Sequence, residues 1–336
     1  MRILVTGGAG RVGQEVLKCL VKQGYDVHVI DAKPEATLDG ASYSQCDIND
    51  FDSVREQVKG CDKVVHLAAI PSPISHSGHE VFQINVAGTF NVFEAAAQEG
   101  IKRIAQASSI NALGCFWSIG EMDIRYFPID EVHPLYTTDA YSFSKQMVEN
   151  IGAYYWRREG ISSVAFRLPA VWFNDEESMA TRQENATQKQ QAMAAFVALP
   201  PEERTAQFIA AREKSLAYRA KRMFEYPAAL SKDNTPWDTG DWLSNVYTSE
   251  RFNFWTYINE VDSAQAFDKA LFADYEGSHA LFVNAKNNYL NFDTNTLLDI
   301  FFPDVTERKR RIVGVESPIS NQKAYDLIGY EAQHAI

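Results

Sequence analysis

Short apolar runs alternate with amphipathic segments along the first half of this chain. Runs such as 3–5 and 63–69 have the continuous apolar character of strands that a parallel sheet buries on both faces. The segments between the runs repeat apolar residues at helical spacing. The alternation therefore predicts an α/β fold with a doubly wound parallel sheet and its ligand at the carboxyl ends of the strands. The predicted strands are 3–5, 26–30, 42–48, 63–69, 103–107 and 163–168, and the longest helices are 80–99 and 139–158.

The alternation stops after Pro169. Helix-forming residues dominate 175–232 and apolar residues are sparse there, which predicts a helical insertion or cap. Beyond a loop at 233–236, we predict strands at 254–258 and 280–284 and helices at 261–272 and 295–302. We divide the chain into a nucleotide-binding domain, 1–170, and a smaller helix-rich α/β substrate lobe, 171–336, with some later segments packing back on the first domain.

A glycine-rich turn follows the first strand and opens a helix. Gly7 allows a tight turn, Gly10 allows close approach of a pyrophosphate, and Gly13 allows the helix to pack on its strand. The helix N-terminus offers unpaired N–H groups and a positive dipole to the phosphates. This order of strand, turn and helix predicts a dinucleotide site in a Rossmann-type sheet.

An acidic residue ends the second predicted strand. Asp31 lies about 18 positions after Gly13, near the spacing expected for the carboxylate that binds an adenosine ribose. A carboxylate there repels a 2′-phosphate, so NAD is predicted over NADP. Lys33 softens that preference without reversing it.

Tyr141 and Lys145 lie one helical turn apart, on one face of the helix 139–158. A phenol titrates near pH 10, so a base acting near neutrality needs its pKa lowered by about 3 units. Lys145 and a positively charged nicotinamide could favour the phenolate. Ser109, at the end of the fifth strand, could hydrogen-bond the same substrate oxygen.

Composition serves mainly to exclude other functions. The 336 residues are 46% hydrophobic and 23% charged, without an apolar run long enough to cross a membrane. A net charge of −12 argues against a nucleic-acid partner. The N-terminus enters a strand without a secretory signal, which predicts a cytoplasmic protein. Four scattered cysteines predict reduced thiols, and no metal site is expected.

Taken in order, these motifs resemble the extended short-chain dehydrogenase/reductase family, the NAD-dependent epimerase/dehydratase group. The matching pieces are Thr6–Gly13 (TGGAGRVG), Asp31, Cys46–Ile48, His66–Ala69, Asn85–Thr89, Ala107–Ser109 and Tyr141–Lys145 (YSFSK). A later fragment, Tyr257–Ala264, is similar to the family's C-terminal strand-to-helix junction.

The resemblance implies an NAD-dependent dehydrogenase or epimerase in which Tyr141 is the base, Lys145 lowers its pKa and holds the nicotinamide ribose, and Ser109 orients the substrate. It also implies a homodimer formed through helices 80–99 and 139–158. The implied cofactor contacts are Gly7, Gly10, Arg11, Val12, Gly13, Asp31, Asp47, Ile48, Leu67, Ala68, Ala69, Asn85, Ala107, Ser108, Tyr141, Lys145, Leu168 and Pro169.

Departures from the family pattern narrow the activity. Ala170 replaces the amide that serves a nucleotide-sugar in many members, and Ile110 with Asn111 replaces the Asp-Glu pair of the 4,6-dehydratases. The SSINALG segment, 108–114, is instead similar to the uronate dehydrogenase branch, whose members lack the insertion. Candidate substrate contacts are Ser109, Asn111, Arg167 and Trp172.

Three functions remain open. The first is an NAD-dependent oxidoreductase acting on a hydroxyl-bearing carbon of a carbohydrate or polyol. The second is a (nucleotide-)sugar epimerase that retains its NAD, and the third is a non-catalytic NAD sensor. The intact Ser109, Tyr141 and Lys145 argue against the sensor, which needs only the cofactor loop.

Two clusters in the second half have alternative interpretations. The loop with Trp237, Asp238, Asp241 and Trp242 could stack on and hydrogen-bond a sugar, but the composition favours an aromatic loop that packs on the lobe. The basic cluster Arg219, Lys221 and Arg222 could bind a phosphate or form a solvated helix face.

Overall fold

A seven-stranded parallel sheet forms the centre of the molecule in the computed structural model, which describes residues 1–226 and 239–334. The strand order is β3-β2-β1-β4-β5-β6-β9, and β7 pairs with β8 in a separate parallel pair. The strands are Arg2–Thr6 (β1), Asp26–Asp31 (β2), Ala41–Gln45 (β3), Lys63–His66 (β4), Arg103–Ala107 (β5), Ser162–Arg167 (β6), Ala170–Trp172 (β7), Tyr257–Asn259 (β8) and Ser278–Phe282 (β9).

Helices cover both faces of the main sheet, as expected for parallel strands joined by crossover connections. The α-helices among the described residues are Arg11–Lys22 (α1), Phe51–Val58 (α2), Gly78–Phe82 (α3), Gly88–Gln98 (α4), Ala140–Glu159 (α5), Glu176–Val197 (α6), Pro201–Ala220 (α7), Trp242–Asn245 (α8), Glu260–Phe272 (α9), Thr294–Phe301 (α10) and Gln322–Ile328 (α11). None of these helices has the length and hydropathy needed to span a membrane.

Three apolar clusters hold these layers together. One face of the sheet packs on α1, α9 and α11, with Val16 and Phe267 fully buried between the layers. The other face packs on α2, α4 and α5. The third cluster lies in the second half, around Trp255, Phe301 and Phe302. Burying one such large side chain stabilises the fold by about 1.5–3 kcal/mol, so all three clusters contribute substantially.

The strand order places a crevice where the connections diverge. β1 lies between β2 and β4, with Thr6 opposite both Ile30 and His66. The chain leaves β1 toward one side of the sheet and returns on the other, which is the arrangement that opens a ligand crevice at the carboxyl ends of doubly wound sheets. The predicted fold class is therefore confirmed.

Several predicted boundaries differ from the structure. The helix predicted at 80–99 consists of α3, a π-helical turn at Gln83–Ala87, and α4. The strands predicted at 42–48 and 63–69 end at Gln45 and His66, because the chain turns there toward the crevice.

The second half also contributes to the main sheet. β9, predicted at 280–284 within the C-terminal lobe, completes the sheet beside β6, and α9 packs on that sheet together with α1. The division at residue 170 remains a prediction, since strands from both parts share one sheet.

Candidate active site

The glycine turn between β1 and α1 has the close contacts that only glycine permits. Gly7 has a φ of +70°, and a Cβ there would lie 2.6 Å from the backbone nitrogen of Ala68. A Cβ on Gly13 would lie 2.6 Å from the carbonyl oxygen of Gly7. A Cβ added at Gly10 would meet only the Gly7 oxygen, at 3.3 Å, and the space around Gly10 is otherwise open. The turn therefore leaves room for a ligand at Gly10.

The N-terminus of α1 is free to bind an anion. Gly10 is its N-cap residue, so no side chain caps the first N–H groups, and the first turn has no acidic residue. Free N–H groups and the helix dipole favour a phosphate at this position. The residues present thus fit the pyrophosphate of a dinucleotide.

Asp31 ends β2 beside this turn. Its Oδ2 accepts a hydrogen bond from the Ala9 nitrogen at 3.2 Å, and the Lys33 ammonium donates to the Ala9 oxygen at 3.1 Å. Both charged groups therefore lie at the glycine turn, where an adenosine ribose is expected. Arg11, also predicted to contact the cofactor, extends to Asp175 (Nη2 to Oδ2, 2.8 Å) and stacks over Phe173.

The remaining cofactor candidates fall into two groups. Asp47 is exposed after β3 and Ile48 packs against Gly88, at the adenine side of the crevice. A cavity of about 580 Å³ adjoins the glycine turn and α5. Its lining residues are Val12, Leu67, Ala69, Pro71, Ser72, Ile74, Ala107, Ser108, Ser109, Ile110, Asn111, Phe116, Trp117, Tyr141, Lys145, Leu168, Pro169, Ala170, Val171 and Asn253.

Asn85, one of the predicted cofactor contacts, forms its hydrogen bonds within the protein. It is fully buried, its Oδ1 accepts from the Ile70 nitrogen at 2.7 Å, and its Nδ2 donates to the Ile70 oxygen and to Ser144 Oγ. These bonds tie the segment after β4 to α5. Asn85 therefore positions the segment after β4 against α5, and a contact with the cofactor remains a prediction.

Tyr141 and Lys145 enter the cavity from the start of α5. Asp139 caps this helix by accepting from the Ser142 nitrogen at 2.8 Å, which fixes the first turn in which Tyr141 lies. Lys145 follows one turn later, and its ammonium donates to the Ala107 oxygen at 3.0 Å. Ser109 donates a side-chain hydrogen bond to the Tyr141 oxygen. Three elements, β5, the turn after it and α5, thus bring the serine, phenol and amine together.

Burial governs the titration of these groups. It raises the pKa of Tyr141 to about 12, against the opposing effect of the Ser109 hydrogen bond. Burial also lowers the pKa of Lys145 to about 8, against the attraction of Glu149. The expected lowering of the Tyr141 pKa by Lys145 is absent here, because desolvation dominates and the ammonium lies 5.8 Å from the phenol ring centroid.

Arg167 and Trp172, two predicted substrate contacts, lie outside the cavity lining. Arg167 is buried and forms a bidentate pair with Glu149 (2.9 and 2.8 Å), whose Oε1 also accepts from Ser108 Oγ at 2.8 Å. This pair holds β6, α5 and the end of β5 together. Trp172 instead stacks on Tyr257 with ring centroids 4.4 Å apart. The contacts of both residues are with the protein, and a role for either in substrate binding stays a prediction.

The family follows from a comparison of the sequence. The profile of the NAD-dependent epimerase/dehydratase family matches residues 3–180. The chain belongs to this family. The predicted family is therefore confirmed, and with it NAD as the family's cofactor and the dehydrogenase/epimerase type of its members.

Curated relatives of this family member match over its first half. Uronate dehydrogenase of Pseudomonas putida is 31% identical over 169 residues, which is 50% of this chain and 60% of that protein. L-arabinose 1-dehydrogenase (NAD(P)(+)) of Haloferax volcanii is 32% identical over 181 residues, 52% of this chain and 69% of that protein. The matches to the uronate dehydrogenases thus span about three fifths of those relatives.

Solved structures of this family are similar in fold along the whole chain. A short-chain dehydrogenase/reductase superfamily protein from Agrobacterium tumefaciens with bound NAD has a TM-score of 0.60 at 19% identity, covering 100% of this chain and 93% of that one. A UDP-galactose 4-epimerase has a TM-score of 0.60 at 21% identity, covering 100% and 94%. At these identities the likeness concerns the fold.

Part of the cavity wall was not predicted from the sequence. Pro71, Ile74, Phe116, Trp117 and Asn253 line it from irregular segments and a 3₁₀ turn, where no motif or periodicity marks a residue. Only their position relative to Tyr141 in the fold brings them to the site.

The two clusters of the second half have different outcomes. Trp237, Asp238 and the loop 233–236 lie outside the described residues. Asp241 caps α8 and pairs with Lys214 at 2.6 Å, away from the cavity. Arg219 is 1% exposed and donates to backbone carbonyls, so it does not join Lys221 and Arg222 in an exposed basic cluster. The phosphate interpretation of that cluster is therefore wrong for Arg219.

Proposed function

We propose that this chain is an NAD-dependent oxidoreductase that transfers a hydride between NAD and a hydroxyl-bearing carbon of a carbohydrate or polyol. One observation carries the proposal: Ser109, Tyr141 and Lys145 line the same cavity, and Val12 of α1 lines it too. A proton-transferring group therefore lies beside the place where the glycine turn would hold a dinucleotide.

The glycine turn and the N-terminus of α1 would hold the pyrophosphate, and Asp31 the adenosine ribose. Asp47 and Ile48 would contact the adenine. When bound, NAD supplies the hydride acceptor. The nicotinamide end would be contacted by residues of the cavity wall, which are Val12, Leu67, Ala69, Ala107, Ser108, Leu168 and Pro169, and by Ala68, which packs against Gly7.

Tyr141 would take the proton of the substrate hydroxyl on its phenol oxygen. Its pKa of about 12 must fall by several units before it acts as a base near neutrality, which requires several kcal/mol of phenolate stabilisation. The Ser109 hydrogen bond already contributes to the value of about 12. The further lowering would come from the positively charged nicotinamide of bound NAD and from the Lys145 ammonium, mostly charged below its pKa of about 8, once the phenol and the ammonium approach each other in the complex. Lys145 would also donate to the nicotinamide ribose, and Ser109 to the substrate oxygen.

A spectrophotometric screen tests this proposal. The purified protein, freed of bound nucleotide and supplied with NAD, is incubated with neutral sugars, alditols and sugar acids while the NADH absorbance is followed. We expect NADH to accumulate with at least one compound. Absence of NADH across the panel would overturn the proposed net oxidation, and turnover of a UDP-sugar with tightly retained NAD would support the epimerase instead.

We further propose that the chain forms a homodimer through α3, α4 and α5. This face exposes two stacked aromatic pairs, Phe82 with Phe143 (centroids 5.8 Å apart) and Phe90 with Tyr154 (6.3 Å). Each of the four side chains is about 40% exposed. Exposed aromatic side chains grouped on one face are typical of an interface.

The oligomeric state can be measured by light scattering on a gel-filtration column. Phe143→Arg should convert a dimer to a monomer, because it replaces an exposed aromatic side chain of this face with a charge. Val313→Arg, at an exposed valine elsewhere, is the matched control and should leave the dimer intact. A wild-type monomer, or a Phe143→Arg dimer, would contradict this assignment.

A further inference from the structure

The inserted helix α7 reaches the substrate side of the cavity through one buried arginine. Arg219 is 1% exposed, and its Nη1 donates to the Phe116 oxygen at 3.0 Å and to the Ser118 oxygen at 2.8 Å. Its Nη2 donates to the Thr248 oxygen. The described residues provide no carboxylate partner for it. A buried cation without a carboxylate partner is costly. Besides the carbonyls, the Arg219 guanidinium meets Ser118 Oγ at 3.5 Å and the rings of Phe252 and Phe224 at 4.9 and 5.5 Å. Its position is therefore determined by the segments that it joins.

Both segments that Arg219 joins carry side chains into the cavity. The first, 116–118, contributes Phe116 and Trp117. The second contains the π-helical turn Val246–Glu250 and the 3₁₀ turn that ends at Asn253, another cavity residue. One guanidinium thus connects the two, although they are more than a hundred positions apart in the chain.

The backbone directly after Asn253 is strained. Phe254 and Trp255 have φ values of +53° and +48°, a region that bulky L-residues rarely adopt and that costs on the order of 1–3 kcal/mol per residue. Both side chains are fully buried in the apolar cluster of the second half. Their packing holds the bend, and the bend determines where Asn253 meets the cavity.

Two amide side chains in this cavity have hydrogen-bonding capacity left for a ligand. Asn111 Oδ1 is buried without a partner. The Asn253 side chain lines the cavity and has no hydrogen bond within residues 1–226 and 239–334. Apart from Ser72, Ser108, Ser109 and Lys145, the other described lining residues are apolar or aromatic, and Lys145 is the charged residue of that lining.

This lining matches an uncharged compound with several hydroxyl groups. Amides can donate to and accept from hydroxyls, and aromatic rings can pack on the C–H face of a sugar ring. Among the described lining residues, a buried carboxylate would meet no cation beyond Lys145, which already donates to the Ala107 oxygen.

We infer that α7 determines substrate choice: Arg219 is a positioning residue that fixes the segments carrying Trp117 and Asn253, and the resulting wall selects a neutral sugar or polyol over a sugar acid. The inference rests on the proposed oxidoreductase function and names the substrate class of that same site. It assigns to the insertion the role of building the wall that faces the substrate.

The experiment compares kcat and KM for matched pairs that differ in one carboxylate, glucose with glucuronate and galactose with galacturonate. It uses the wild type, Arg219→Met, Arg219→Lys, Asn253→Ala and, as control, Lys214→Met. Lys214 lies on the same helix in a surface pair with Asp241. NAD affinity and melting temperature are measured for every variant.

We expect the wild type to prefer the neutral member of at least one pair. Arg219→Met and Asn253→Ala should raise KM for that neutral sugar by about tenfold, with NAD affinity unchanged. They should also change the ratio of the KM for glucose to the KM for galactose. Arg219→Lys should recover part of the loss, because an ammonium can bind fewer of the carbonyls. Lys214→Met should match the wild type.

The outcomes separate this inference from the proposed function. Turnover of neutral sugars with unaltered KM in Arg219→Met and Asn253→Ala would overturn the inference alone, as would a preference for the sugar acids. If Arg219→Met loses the same fraction of activity with every sugar and also loses NAD affinity, the role of Arg219 is purely structural, and the inference is overturned too. If Arg219→Met does not fold, Asn253→Ala decides. No turnover of any sugar would overturn both.

Discussion

The cofactor crevice and the substrate wall of this molecule are built in contrasting ways. In the crevice, each group is positioned by a short local pattern: Gly7 and Gly13 by the turn they form, and Tyr141 and Lys145 by one helical turn. In the wall, Trp117 and Asn253 come from distant segments joined by Arg219. Substitutions elsewhere in the chain leave the locally built crevice in place, whereas the position of the wall depends on a long-range contact.

This contrast suggests how such a chain can keep one chemistry and vary its substrate. Changing α7 alters the segments bound by Arg219, whereas the glycine turn and α5 keep their own local contacts. The predictions below disturb one region at a time, and each should leave the other region unaffected.

The largest effect is expected at the glycine turn. In Gly13→Ala the new Cβ would lie 2.6 Å from the Gly7 oxygen and from Gly8 Cα, so the backbone must move away from its phosphate-binding position. We expect NAD affinity to fall by about 10- to 100-fold and stability by about 1–3 kcal/mol. Calorimetric titration with NAD measures the first. Gly120→Ala is the control, since its Cβ meets nothing within 4 Å, and equal affinities would contradict the assignment.

The second effect concerns the buried amine of Lys145. Its pKa is about 8 in the folded protein and 10.5 ordinarily. The folded state therefore releases the proton first, and stability rises with pH across that window. Relative to Lys145→Met, the wild type should gain about 3 kcal/mol between pH 8 and 10.5.

Urea unfolding at a series of pH values measures this difference. Lys22→Met, which removes an exposed amine, is measured alongside as the control. If the difference in free energy of unfolding between the wild type and Lys145→Met does not change with pH, Lys145 is not desolvated as described.

A smaller effect is expected beside the wall, at Glu121. Burial raises its pKa, but a hydrogen bond from Tyr247 and the charges of Arg251 and Arg212 outweigh burial and lower it to about 2. This stability is present above pH 4.5 and is lost as pH falls toward 2. The side chain is 19% exposed, so screening reduces the expected contribution to about 1–2 kcal/mol.

Comparing Glu121→Gln with the wild type by urea unfolding at about pH 6 and about pH 3 tests this value. The stability advantage of the wild type should shrink at the lower pH. Asp123→Asn, in an exposed ion pair with Arg125, should show a much smaller change. An advantage that does not depend on pH would show that Glu121 does not stay ionised as described.

The sequence predicts the cofactor crevice well and the substrate wall poorly. The sheet, the glycine turn and Tyr141 with Lys145 were predictable because periodicity and spacing act over a few residues. The bend at Phe254 and Trp255 was not, because no local preference favours a positive φ for aromatic residues. It is held by packing that only the folded chain provides.

The candidate site shows the same limit in single residues. Arg167 was a reasonable substrate contact by position, yet a bidentate pair with Glu149 removes it from the cavity. Asn85 was a reasonable cofactor contact, yet its amide is occupied by Ile70 and Ser144. A residue type indicates which bonds a side chain can form, and the tertiary structure determines which partners it meets.

The most direct test of the central claim is the turnover of Tyr141→Phe with NAD and the best substrate of the wild type. The phenol oxygen is removed while the ring and its packing remain. We predict a fall in kcat of about 10²- to 10⁴-fold with NAD affinity unchanged. A variant that retains the kcat of the wild type would show that Tyr141 is not the base, and would contradict the account of this site.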